Sequence, residues 1–147
     1  MKTKISIMTI IFIFAFAGLS MAQNWIAANQ ATVAWDAVAY QLDTGERLIY
    51  RAYLANAKTD PDKANPALIG ETEALEYQFT FTEKGSYFVG LKAVIQALAE
   101  DGATWQDVAE SEFGWSDDPT FAQAGATFGL RFYPAPVAPV GMRPVID

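Results

Sequence analysis

Tyr77, Phe79 and Phe81 alternate with Gln78, Thr80 and Thr82. Such alternation gives an extended segment one apolar face and one polar face, a pattern that a helix with 3.6 residues per turn does not use. The same period of two recurs along the chain. Ala31, Val33, Trp35 and Ala37 share one face, opposite Thr32, Ala34 and Asp36. Tyr50, Ala52 and Leu54 oppose Ile49, Arg51 and Tyr53, and Tyr87, Val89, Leu91 and Ala93 form the inward face of a run reaching Gln96. Ala126 to Tyr133 alternates again, Leu68-Ile69-Gly70 reads as a short edge strand, and Glu112 to Ser116 as a return strand. Turn residues punctuate these runs at Asp43-Thr44-Gly45-Glu46, Glu83-Lys84-Gly85 and Asp117-Asp118-Pro119, and Asn56 to Pro66 is a polar loop. Ala97 to Glu110 is expected to be a long hairpin loop around Asp101-Gly102, with Trp105 near its crown. The pattern predicts an all-β domain, a sandwich or barrel, without an amphipathic helix or an internal repeat.

The two ends of the chain have a different character. Lys2 and Lys4 precede an apolar run from Ile5 to Gly18, and Ser20-Met21-Ala22 follows with small residues. This reads as a signal peptide over residues 1–22, with Gln23 as the mature start, and implies a secreted or periplasmic protein with no membrane span after cleavage. Residues 134–147 carry Pro134, Pro136, Pro139 and Pro144, so this tail is expected to be extended or polyproline-like.

Composition removes several kinds of chemistry. The chain has no His and no Cys. A Ser-His-Asp or Cys-His centre cannot be assembled from it, and zinc, copper and haem lose their usual ligands. The core must hold by packing alone, without disulfides. Cleavage after Ala22 removes two Lys and no acid, which takes the net charge from −7 to about −9. A surface of that sign repels nucleic-acid phosphates.

Four segments together resemble a fibronectin type III domain. Ala31-Thr-Val-Ala-Trp-Asp-Ala37 resembles the family's second strand, with Trp35 as its core tryptophan. Tyr50-Arg-Ala-Tyr-Leu-Ala-Asn56 resembles the third, and Gly85-Ser-Tyr-Phe-Val-Gly-Leu-Lys-Ala-Val94 the sixth, with Tyr87 in place of the corner tyrosine. Ser111-Glu-Phe-Gly-Trp-Ser-Asp117 resembles the last strand. The resemblance implies an immunoglobulin-like β-sandwich of about seven antiparallel strands over residues 23–133. Its core would be defined by Trp35, Tyr50, Phe79, Tyr87, Val89 and Leu91, with Trp35 and Tyr87 filling one layer between the sheets. The tail resembles a further proline-rich lead and first strand, placed where a following domain would begin. It would fold back, hang free, or pair with the open edge of a neighbouring copy, and head-to-tail pairing would build a filament.

The expected function is therefore binding or assembly, not catalysis: a secreted structural or adhesive module whose partner is a protein, including a second copy of itself. The alternative is a carbohydrate- or protein-binding module that uses loop aromatics. Trp105, Tyr53 and Phe88 are the partner-facing aromatics expected, with Val137, Val140 and Met142 in the tail. Asp60, Asp62, Asp101, Asp117 and Asp118 lie on loops of a kind that also suits calcium. The competing explanation for them is turn formation, which favours Asp in its own right.

Overall fold

The computed structural model describes residues 23–58 and 63–134. The leader over residues 1–22, the loop carboxylates Asp60 and Asp62, and the tail residues Val137, Val140 and Met142 lie outside the described residues. Alternation becomes strand almost everywhere it was read. The elements are β1 (Asn24–Ala27), β2 (Gln30–Ala34), β3 (Glu46–Asn56), β4 (Ala67–Thr72) and β5 (Glu76–Thr80), then β6 (Gly85–Leu98), β7 (Trp105–Glu110), β8 (Gly114–Trp115) and β9 (Phe128–Phe132). A short 3₁₀ turn at Gln123–Gly125 precedes β9. The domain is all-β, as the sequence predicts.

Two sheets form. The larger has the order β1-β9-β6-β3-β4, and β7 and β8 also pair with β6. The smaller is the antiparallel pair β2-β5. β6 is the spine. One of its edges carries β3 along eleven residue pairs, from Glu46↔Ala97 to Asn56↔Tyr87. Its other edge is divided among three short strands: β9 opposite Gly85–Tyr87, β8 opposite Gly90 and Leu91, and β7 opposite Val94–Leu98. The pairing of β1 with β9 is parallel, which corrects the expectation of a wholly antiparallel fold. β1 itself was not legible, because Asn24-Trp-Ile-Ala27 is short and lacks alternation.

The core lies between the sheets. Phe79 and Phe81 come from the β5 side, and Ala52, Leu54, Val89 and Leu130 from the large sheet. Tyr77, Tyr87 and Leu91 pack around them, and Tyr50 is also buried. Trp35 is placed differently from the expectation. It lies just past the end of β2, half-buried, with its ring edge-on to Tyr50 at 5.3 Å. Tyr87 stacks on Phe81 at 5.4 Å. Tyr50 pairs with Ala93 whereas Tyr87 pairs with Asn56, so Trp35 and Tyr87 belong to stations about 20 Å apart along β6. They do not share a layer. The β2–β5 register decides this, because it sets Ala31 opposite the fully buried Phe79 and leaves Trp35 beyond the last pair.

Tyr87 closes the turn that precedes it. Its hydroxyl donates to the Glu83 carbonyl at 2.9 Å, and its pKa is raised, first by burial and then by the charge of Glu83.

Candidate functional site

The outer face of the large sheet comes first, because the expected partner aromatics fall on it. Residues 47, 49, 51 and 53 of β3 and 88, 90, 92, 94 and 96 of β6 point away from the core by strand alternation. They are not bare. Trp115 lies directly opposite Gly90, and Trp25 directly opposite Gly129. A Cβ on Gly90 would come within 2.6 Å of the Trp115 ring, and one on Gly129 within 2.5 Å of Trp25, so each glycine is a seat for an indole. Trp25 packs on Phe88 at 5.5 Å, Trp115 on Phe113 at 5.0 Å, and Phe113 on Tyr53 at 4.9 Å. Cations cover these rings. Arg131 lies over Trp25, Lys63 over both Phe88 and Trp115, and Lys92 over Phe113.

Ion pairs continue the layer towards β7. Arg51 donates from both terminal nitrogens to Asp107, at 2.6 and 3.1 Å, and from Nε to Glu71 at 2.6 Å. Gln96 donates to Asp107 at 2.8 Å and accepts from Arg47 at 2.9 Å. Arg51, and then Gln96, hold the Asp107 carboxyl below the usual range. The sequence reading missed this network, although the cross-strand partnership of Arg51 with Glu71 is the kind of opposite-charge pair that stabilises neighbouring strands.

This layer relocates three predicted partner residues. Phe88 is only 9% exposed, covered by Trp25 and Lys63. Tyr53 is half-buried against Phe113. Trp105 is not at a loop crown. It is the first residue of β7, opposite Leu98, and the Arg47 guanidinium sits 4.3 Å from its ring centre. The crown of that hairpin is Asp101-Gly102, where Gly102 has φ +66°.

The loop carboxylates are engaged locally. Asp101 accepts from the Ala103 and Thr104 amides and the Thr104 hydroxyl, which lower its pKa, the hydroxyl most strongly. Asp117 pairs with Lys63 at 2.7 Å, and Asp118 caps Thr120. Among the described residues no three acidic groups come together as ligands for a cation.

Among the described residues, the opposite side of the molecule is open. An apolar groove of about 1040 Å³ runs between β2 and the inner face of the large sheet. Val33, Leu91, Phe128 and Leu130 line its floor and wall, and Ile26, Val38 and Phe121 stand at its rim, 43%, 46% and 56% exposed. Along this groove β2 has no strand beside it among the described residues. The hydrogen-bond parity identifies the groups left over. Asn29 accepts from the Phe81 amide, and the Trp35 amide donates to Leu75. Alternation then assigns Ala31 and Val33 to β5, and turns the N–H and C=O groups of Gln30, Thr32 and Ala34 towards the open side. On the other side of the small sheet, Tyr77 of β5 donates its hydroxyl to the Ile69 carbonyl of β4 at 3.4 Å.

No family model, no curated protein and no solved structure matches this sequence.

Proposed function

We propose that this chain is a secreted, non-catalytic structural or adhesive module, built as a fibronectin type III-like β-sandwich, that assembles by accepting a partner's strand along β2. One observation carries the reading: among the described residues, the β2 edge that borders the apolar groove is unpaired. A two-stranded sheet is marginal in water, and a third strand would satisfy three backbone donors and three acceptors at once. Ile26, Val38 and Phe121 supply apolar surface that such a strand would cover. The leader-like start of the sequence and its lack of His and Cys agree with this role.

Size-exclusion chromatography with light scattering on residues 23–147 tests the proposal. Oligomers that grow with concentration are expected. Thr32→Pro removes the outward amide from the middle of the free edge, a position that tolerates proline, and should give monomers with unchanged circular dichroism. Val38→Lys with Phe121→Lys charges the groove rim and should act the same way without touching the backbone. A wild-type protein that is monomeric at all concentrations, or variants that assemble as well as wild type, would overturn the proposal.

A further inference from the structure

Resting on that reading, we infer that the strand accepted by β2 is the C-terminal segment Ala138–Arg143 of a second copy, entering antiparallel to β2. Three observations converge on it.

The first is alternation. Ala138, Val140 and Met142 share one side of this segment, and Pro139, Gly141 and Arg143 the other. With Val140 set opposite Val33 and Met142 opposite Ala31, both apolar side chains enter the groove, the larger facing the smaller residue of β2. Gly141 and Arg143 then present their backbone groups to Thr32 and Gln30, and the Arg143 side chain faces solvent. Pro139 falls opposite Ala34, where the carbonyl of Pro139 accepts from the Ala34 amide and a single donor is lost.

The second is where the described chain ends. Tyr133 and Pro134 lie in a small cleft with Asn29 and Gln30, so the tail leaves β9 at the starting end of β2. β2 spans about 13 Å from Gln30 to Ala34. Four fully extended residues beyond Pro134 cover at most about 14 Å. Reaching the Ala34 end of its own groove would use all of that length and leave no residue for a reversal, so there the segment Ala138–Met142 would run parallel to β2. Antiparallel entry begins at the Ala34 end, which the tail of another molecule can approach. The antiparallel ladder is the more stable per residue and continues the sense of the β2–β5 pair.

The third is the proline spacing. Residues that precede proline are held out of the helical region, so Tyr133, Ala135 and Ala138 favour extended backbone, and the lead into the segment is a spacer and not a tight reversal. Donation of this kind uses one surface as donor and a different one as acceptor. It repeats from copy to copy without closing, which builds a filament.

A mixing experiment on residues 23–147 tests this. Val140→Asp with Met142→Asp disables the donor and leaves the groove intact, whereas Thr32→Pro disables the acceptor and leaves the tail intact. Each should be monomeric alone, with self-association reduced at least tenfold, and an equimolar mixture should give a one-to-one heterodimer. Val38→Lys with Phe121→Lys replaces Thr32→Pro as the acceptor variant if the proline prevents folding. Wild-type assembly that is blocked by acceptor variants but untouched by the Val140 and Met142 substitutions would overturn the inference and leave the β2-edge proposal standing. A mixture that stays monomeric would also overturn it. A monomeric wild type, as insertion of each tail into its own groove would give, removes both.

Discussion

The Ser116 hydroxyl accepts the amide N–H of Val89 at 3.0 Å inside the fold, where both residues are buried. In return the Ser116 amide donates to the Val89 carbonyl at 2.8 Å. This is where the outer edge of β6 passes from β8 to β9, so a side chain stands in for a missing ladder partner. Ser111 does the same at the passage from β7 to β8, where its hydroxyl accepts from Ala93 in an exposed setting.

Ser116→Ala should therefore leave a buried amide without an acceptor and destabilise by about 1–3 kcal/mol. Ser111→Ala leaves the Ala93 amide to water and should lose under about 1 kcal/mol. Urea midpoints of the two variants provide the check, and equal losses would contradict the role given to Ser116.

Gly129→Ala and Gly90→Ala each place a methyl group where an indole ring already lies. The rings are pinned by their own neighbours, Trp25 by Phe88 and Arg131, and Trp115 by Phe113 and Lys63. Overpacking of this kind should destabilise by about 1–3 kcal/mol, with a red shift in tryptophan emission as the displaced ring meets water. Unchanged emission in both variants would show that the glycines are not seats.

Asp107 supplies the pH dependence. Its carboxyl is held below the ordinary value of about 3.9, first by Arg51 and then by Gln96. A depressed carboxyl favours the folded state above the unfolded value and loses that contribution as pH falls through the folded value. Stability should thus decline below about pH 4. Asp107→Asn should be less stable at pH 7 yet decline less steeply below pH 4. Some slope should persist in this variant, because Asp101 and Asp118 are lowered as well. Parallel stability curves for the two proteins between pH 7 and pH 2.5 would rule out the assignment.

Much of the fold could be read along the chain because burial on one side leaves a signature in local order. Phe79 and Val89 stand out by their parity with neighbours two residues away, and both are buried in the core. Tyr87 is also legible locally, since its hydroxyl needs only the turn four residues earlier. Phe88 and Tyr53 are not. Parity places them correctly on the outer face, but nothing in local order reveals that Trp25, Lys63 and Phe113 arrive from distant segments to cover that face. The groove beside β2 is invisible for the same reason, because it is formed by Val33, Leu91 and Phe128 from segments far apart in the chain.

What the sequence determined alone was the strand character of most of its segments, though not of β1 or β7, the apolar face of most of them, and the His- and Cys-based chemistry that the chain must forgo. Those follow from composition and from contacts a few residues apart. The tertiary structure decided which faces are covered, which edge is left open, and that Trp35 and Tyr87 lie at different stations along β6. Each depends on register between strands far apart in the chain, and a shift of register changes every neighbour without changing a single residue.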